Sequence, residues 1–331
     1  MKWYDGHEYY ISMSQTILLT GGAGYIGSAC AQALLAQGHT VTVFDNLSTG
    51  QREQVPAGAT FIEGDLTDQA AVRAAVGSAP FTTVIHLAAK KAVGESEAKP
   101  ALYFANNVVG SSYLLSAMLE SGIKRVVFSS TAVVYAPPTS DAPLTEDALC
   151  APVSVYGASK YLVEQMLAQY VRTGHLTHAV SLRYFNVAGD VGCHFREHDP
   201  QNVFPLLAHA VQTGKPFSIF GTDYDTRDGT CIRDYIHLAD LVDAHLGALN
   251  APAGTYNLGT GTGYTVRELI AAFETVSGRS LNVIDAPRRP GDPAIIVASA
   301  GLAAREFNWQ PKHTLQEMVT STLAAYQQTT V

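Results

Sequence analysis

The chain has 331 residues, enough for about two domains at roughly 150 residues each. Lys plus Arg is 21 and Asp plus Glu is 29, and the resulting charge of −8 excludes an extended nucleic-acid or anionic-membrane surface. The charged fraction is 15%, against about 25% in an average soluble chain, and the hydrophobic fraction is 47%, which excludes disorder and points to a large buried sheet.

The opening twelve residues, M-K-W-Y-D-G-H-E-Y-Y-I-S, lack the apolar run of a secretory leader, and a second methionine, Met13, directly precedes the first structured run. Residues 1–12 therefore read as an N-terminal extension. From residue 16 the pattern repeats an apolar run, a turn and a helix-period segment, the mark of βαβ units around a parallel sheet. Strands are predicted over 16–20, 40–45, 60–63, 83–86, 125–130 and 179–184, with helices over 23–37, 102–121 and 155–172 between them. Right-handed crossovers make this a Rossmann-type doubly wound sheet, spanning 13–186. After Asn186 the alternation becomes irregular, with helices predicted over 203–213, 238–249, 265–277 and 314–328. This half, 187–331, reads as a smaller mixed α/β lobe that closes over a ligand, with some segments returning to the first domain.

Cys30, Cys150, Cys193 and Cys231 lie far apart with no C-x-x-C spacing, so they read as reduced thiols of a cytoplasmic protein. No apolar stretch approaches the roughly 18 residues of a membrane span, so no membrane partner is expected. The run D-Y-D-T-R-D-G starts like a calcium loop, but Arg227 occupies a ligand position and the closing Glu is missing. His175, His178, His194 and His198 read as solvated loop histidines, and no metal site is expected.

Two constellations carry chemistry. In I-L-L-T-G-G-A-G-Y-I-G-S, Gly21, Gly24 and Gly27 stand between a strand and a helix, where they tighten the turn and admit a pyrophosphate to the helix N-terminus. Asp45 ends the next strand, 24 positions after Gly21, and completes a dinucleotide fingerprint. Its carboxylate suits the two hydroxyls of an adenine ribose and repels a 2′-phosphate, which favours NAD over NADP. The second constellation is Tyr156 and Lys160, one helical turn apart on one face, with Ser130 and Thr131 at the carboxyl end of the strand before them. The Lys160 ammonium and a cationic nicotinamide ring both favour the Tyr156 phenolate, so its pKa is expected to fall. Tyr156 then serves as acid and base, Lys160 polarises it and holds the nicotinamide ribose, and Thr131 hydrogen-bonds the reacting hydroxyl.

The motifs T-G-G-A-G-Y-I-G, D-N-L-S-T-G, K-A-V-G-E-S, N-N-V, S-S-T-A-V-V-Y, Y-G-A-S-K, L-R-Y-F-N-V-A-G, R-D-G-T-C-I-R-D-Y-I-H, Y-N-L-G-T-G and R-R-P-G-D together resemble the UDP-glucose (UDP-galactose) 4-epimerases, within the extended short-chain dehydrogenase/reductase superfamily. The resemblance implies that Thr131, Tyr156 and Lys160 are catalytic and that NAD stays tightly bound. It implies that Gly21, Gly24, Tyr25, Ile26, Gly27, Asp45, Asn46, Asp65, Leu66, Ala88, Lys91, Asn106, Tyr156 and Lys160 hold the cofactor. Thr131, Tyr156, Phe185, Asn186, Asn202, Phe220, Arg233, Arg289 and Asp292 then meet the UDP-sugar, the two arginines facing its diphosphate. A homodimer built on the helices over 102–121 and 155–172 is also implied.

The implied reaction interconverts UDP-glucose and UDP-galactose through a 4-keto sugar. Other UDP-sugar 4-epimerases, acting on N-acetylhexosamines or pentoses, and an NAD-dependent reductase are the enzymatic alternatives. An NAD-sensing binding protein is the non-enzymatic one, though it has no need of Tyr156 and Lys160 together. Ala132 and Val133 after Thr131 disfavour a 4,6-dehydratase, which needs an acid and a base there. Two departures from the family pattern stand out, Ala136 and Pro137 after Tyr135 and the stretch A-G-D-V-G-C-H-F-R-E-H-D-P; Ile296, at a position where the family tunes room for the sugar, is of intermediate size and leaves acetylated sugars open.

Overall fold

The computed structural model describes residues 14–195, 202–289 and 291–327. The extension over 1–12, His198 and the end of the A-G-D-V-G-C-H-F-R-E-H-D-P stretch lie outside the described residues.

The first half runs β1 (Thr16–Thr20), α1 (Tyr25–Ala36), β2 (Thr40–Asp45), β3 (Thr60–Glu63), α2 (Gln69–Val76), β4 (Thr83–His86), α3 (Val93–Ala98) and α4 (Pro100–Tyr103). It continues through α5 (Gly110–Glu120), β5 (Arg125–Thr131), α6 (Val155–Arg172) and β6 (His178–Tyr184). The single helix predicted over 102–121 is in fact α4, a π-helical segment Phe104–Val109 and α5. Apolar periodicity does not register the inserted residue, which turns Asn106 and Asn107 inward, where both are buried. His178, expected in a solvated loop, is the first residue of β6 and is buried, its imidazole bonded to the Ala248 carbonyl at 3.0 Å.

The second half contains β7 (Asn186–Ala188), α7 (Val203–Thr213), β8 (Phe217–Phe220), β9 (Ile232–His237), α8 (Leu238–Ala248) and β10 (Gly254–Leu258). It ends with β11 (Gly263–Thr265), α9 (Val266–Ser277), β12 (Val283–Ala286), β13 (Ile295–Ile296), α10 (Gly301–Phe307) and α11 (Leu315–Gln327).

The main sheet has seven strands in the order β3-β2-β1-β4-β5-β6-β10, all parallel. Its strands alternate apolar faces. Ile17, Leu19, Ile85 and Val127 point to one side, onto Cys30 and Leu34 of α1 and Leu241 and Ala244 of α8. Leu18, Val84, Val126 and Phe128 point to the other, onto Val72 of α2, Leu114 and Met118 of α5 and Val163 and Leu167 of α6. The strand order reverses between β1 and β4, which opens a crevice at the carboxyl ends of the strands. A second core joins α7, α9 and α11 to β8 through Phe204, Leu207, Ile219, Phe273 and Met318. Beside it, β9 pairs with β7, β11 and β13, and β8 pairs with β12. These segments sit against the sheet's carboxyl edge: the Phe185 amide bonds to the Leu258 carbonyl, and the Asn186 side chain donates to the Asp234 carbonyl at 3.0 Å.

Candidate active site

The glycine loop is built by backbone contact. Gly21 turns at φ +74°, and a Cβ there would lie 2.6 Å from the Ala88 amide at the end of β4. A Cβ on Gly27 would lie 2.0 Å from the Gly21 carbonyl, so only glycine lets α1 begin this close under the loop. Gly24 is the N-cap of α1, and the first turn carries no acidic residue, so the helix's positive end opens toward the crevice. Ile26 packs into the core beneath, and the Tyr25 hydroxyl donates to the Gly189 carbonyl in the second half.

Asp45 accepts from the amides of Ala23 at 3.0 Å and Leu47 at 2.8 Å, which ties the glycine loop to the end of β2. Burial pushes its carboxyl above the ordinary range, with these amides opposing the shift. Beside it, Asn46 donates to Asp65 at 2.6 Å, Asp65 accepts from Thr67, and Leu66 lies buried next to Gly110. The Ala88 amide bonds to Thr20 Oγ1, Lys91 stands exposed after β4, and Asn106 is buried in the π-helical segment. Every residue assigned to the cofactor thus lies along the carboxyl edge of β1, β2, β3 and β4, on the loops they start, or on the helices that face it.

The first turn of α6 is clamped. Ser154 caps it by accepting from the Gly157 amide at 3.1 Å, Ser96 Oγ accepts the Tyr156 amide, and Glu97 accepts the Val155 amide. A Cβ on Gly157 would lie 2.4 Å from the Val133 carbonyl, so the turn after Thr131 is pressed against this helix. Thr131 therefore stands beside Tyr156, close enough to oppose the rise in its pKa, and Lys160 follows one turn deeper, 3% exposed. Lys160 Nζ donates to the Ser129 carbonyl at 2.8 Å and stands 4.8 Å from the Phe128 ring.

The expected fall in the Tyr156 pKa is corrected here. Part of its ring meets solvent, but its hydroxyl is enclosed, and burial pushes it up to about 12 with Thr131 opposing. Burial also brings Lys160 down to about 7, with the Glu164 charge opposing. Both residues are driven toward their neutral forms, because loss of water outweighs the help of Thr131 to one and of Glu164 to the other.

Several neighbours were not singled out from sequence. Glu164 and Arg183 form a buried ion pair, Nε to Oε1 at 2.9 Å and Nη2 to Oε2 at 2.6 Å, and Ser130 Oγ also donates to Glu164. Arg183 continues to the Tyr135 hydroxyl at 3.0 Å, and Tyr135 to Asn257 at 2.7 Å. On the other side, Asn107 bonds the Lys90 backbone twice and Ser159 Oγ at 2.9 Å. His86 bridges Thr20 and Ser111 and is pushed down to about 3 by burial and then by Lys160, so it stays neutral. The signal available for Glu164 was its spacing, four positions after Lys160 on the same helix face.

Across the crevice, Phe185 is buried, Asn186 is exposed on β7, and Asn202 caps α7 with its side chain in solvent. Arg289 stacks on exposed Phe220, 4.2 Å from the ring centroid. Arg233 is more constrained than sequence suggests: Nη2 pairs with Asp292 and donates to the Pro293 carbonyl, and Nη1 donates to the Ile232 carbonyl. Ile296 lies in β13 directly beside Arg233 and is half-buried. After Tyr135, the Ala136 amide bonds to the Leu149 carbonyl at 2.8 Å, which anchors the rim loop where Ala136 and Pro137 depart from the family pattern. The D-Y-D-T-R-D-G run serves α9: Arg227 pairs with Glu268, and Asp228 accepts from Thr230 and Thr265.

The family model described as the NAD dependent epimerase/dehydratase family matches residues 17–259, a span that contains the glycine loop, Thr131, Tyr156 and Lys160. The chain belongs to this family. Within it, the chain is 45% identical over 306 residues to the UDP-glucose 4-epimerase of Streptomyces lividans, covering 90% of this chain and 92% of that one. A UDP-glucose 4-epimerase structure from Stenotrophomonas maltophila, with bound NAD and formylated UDP-arabinopyranose, is 37% identical with a TM-score of 0.90, over 95% of this chain and 98% of the other. One from Bifidobacterium longum in complex with NAD+ and UDP is 35% identical with a TM-score of 0.87, over 94% and 98%. The epimerase family resemblance read from the motifs and the doubly wound fold both hold for this family member.

Proposed function

We propose that this family member is a UDP-glucose 4-epimerase that interconverts UDP-glucose and UDP-galactose on a tightly held NAD. The observation that carries the reading is that Thr131, at the carboxyl end of β5, stands beside Tyr156 and Lys160 on the first turns of α6, on the same sheet edge as the crevice between β1 and β4. The residues present fit NAD. The glycine loop leaves no room for a Cβ where a pyrophosphate must approach, α1 offers its positive end, and buried Asp45 supplies the acceptor for ribose hydroxyls. Bound there, NAD would supply the acceptor and later the donor of the hydride at sugar C4.

The chain's own residues then divide the work. Tyr156 Oη takes the proton of the sugar 4-hydroxyl and gives it back after the ring has turned over. Thr131 Oγ1 bridges the two oxygens over a short path. The Lys160 ammonium, fixed by Ser129, stabilises the phenolate as it forms. Arg233, Arg289, Asn186, Asn202, Phe185, Phe220 and Asp292 hold the UDP end. This anchors the 4-keto sugar far from the reacting carbon and leaves the sugar itself free to rotate. Because both terminal nitrogens of Arg233 are engaged, a diphosphate competes with Asp292 for this guanidinium.

Incubating the purified protein with UDP-galactose and no added cofactor tests the reading: UDP-glucose forms. No turnover, even with NAD supplied, overturns it.

The enzyme is further proposed to be a homodimer. Leu102, Phe104, Val109 and Leu162 are exposed apolar side chains on α4, the π-helical segment and α6, and together they offer a face for a second copy. Four free cysteines and the absence of a helix long and apolar enough to cross a membrane, among the described residues, support a cytoplasmic setting. Recovery in the membrane fraction on cell fractionation would contradict that setting.

A further inference from the structure

Glu164 touches neither the crevice nor the glycine loop, yet it is 5% exposed and carries two neighbours on one carboxylate. Ser130 and Arg183 are direct register partners on β5 and β6, and the next register pair is Thr131 with Tyr184. Glu164 binds Ser130 and Arg183 at once, so it straddles the two strands one residue below the acid/base threonine. Lys160, one turn earlier on α6, grips the carbonyl of Ser129, the residue before. From Arg183 the chain of bonds runs on to Tyr135 and to Asn257 on β10.

We propose that Glu164 is a positioning residue: by holding Ser130 and Arg183 together it sets the height of α6 against β5 and β6, and so the spacing of Thr131, Tyr156 and Lys160. The proposal rests on the epimerase reading. A buried ion pair is poor value as a stabiliser, because desolvating both charges offsets most of their attraction and apolar residues of similar volume often do as well. What such a pair supplies is direction. The fork of Arg183 and the two oxygens of Glu164 meet in one geometry only, and an apolar contact has no such requirement. The Glu164 charge also opposes the loss of the Lys160 proton on burial.

The other titratable groups facing Glu164 and Lys160 are Arg183 from β6, Cys150 from the segment after β5 and His86 from β4, with Tyr135 in turn against Arg183. Removing a carboxylate from this set lowers the pKa of Lys160.

The test compares wild type with Glu164→Gln and with the double replacement Glu164→Leu/Arg183→Leu, which removes both charges and leaves none buried alone. The double variant is expected to unfold thermally where the wild type does and to keep its KM for UDP-galactose. Its kcat is expected to fall about 10²-fold, the cost of a misplaced reacting group. The Lys160 side-chain carbon, followed by NMR, is expected to titrate at lower pH in Glu164→Gln, where only the carboxylate charge is lost. A double variant that folds and keeps wild-type kcat overturns the proposal, as does an unmoved Lys160 titration. An inactive wild type instead removes the epimerase reading and leaves the NMR titration to decide the role of Glu164.

Discussion

Tyr156 and Lys160 meet the same burial and answer it in opposite directions, the phenol rising to about 12 and the amine falling to about 7. A phenol that high is almost wholly protonated at neutral pH and has no free site for the sugar proton, so the proton moves only when a cation close to the phenol favours its phenolate. Thr131, beside the phenol, also favours its charged form. Replacing Tyr156 with Phe keeps the ring and removes the acid/base oxygen. Turnover is expected to fall by roughly 10²- to 10⁴-fold with UDP-sugar binding nearly unchanged, read from steady-state kcat and from calorimetric titration. Retained turnover refutes the role of Tyr156. At this scale the sequence was informative where spacing carried the chemistry: Tyr156 and Lys160 share a helix face at i and i+4. Glu164 continues that face, but in one dimension a helical carboxylate reads as a solvated one. Its partner Arg183 comes from β6, 19 residues on, so nothing local marks the pair.

Glycines decide the geometry of two elements. In the first, Gly27 lets α1 start beneath Gly21, and in the second, Gly157 lets α6 press on the turn after Thr131. Gly27→Ala forces a methyl onto the Gly21 carbonyl, an overpacking that costs roughly 1–3 kcal/mol and must shift the loop. The variant is expected to purify with less bound NAD and to unfold at lower temperature, checked by nucleotide content after gel filtration and by calorimetry. Nucleotide content equal to wild type contradicts the cradle. The first glycine turn follows from the sequence, since a turn between an apolar run and a helix-period segment needs few long-range contacts; the second does not, because what Gly157 admits is the Val133 carbonyl of another element. The π-helical segment does not follow. Asn107 is held by the backbone of Lys90 and by Ser159 of α6, contacts that periodicity in its own helix cannot reveal.

The molecule as a whole carries eight excess negative charges and is read as a binder of two anionic nucleotides. The conflict resolves locally, through backbone amides, one helix terminus and the arginines placed across the crevice. Overall architecture was legible as a doubly wound sheet because each βαβ unit declares itself in order along the chain. The seventh strand was not, since β10 joins β6 only after some seventy residues of intervening lobe, and short irregular strands such as β7, β11 and β13 carry little pattern. Assembly belongs to this scale too. Phe104→Glu puts a charge on the exposed apolar face and is expected to shift sedimentation from dimer to monomer, and a wild type that sediments as a monomer contradicts the dimer.

The central claim is that oxidation and reduction occur at one sugar carbon on a cofactor that never leaves. Incubation with UDP-galactose deuterated at C4, without added NAD, tests it most directly. The expected product is UDP-glucose with the deuterium still at C4. Product that has lost its label to water, or no product at all, contradicts the account.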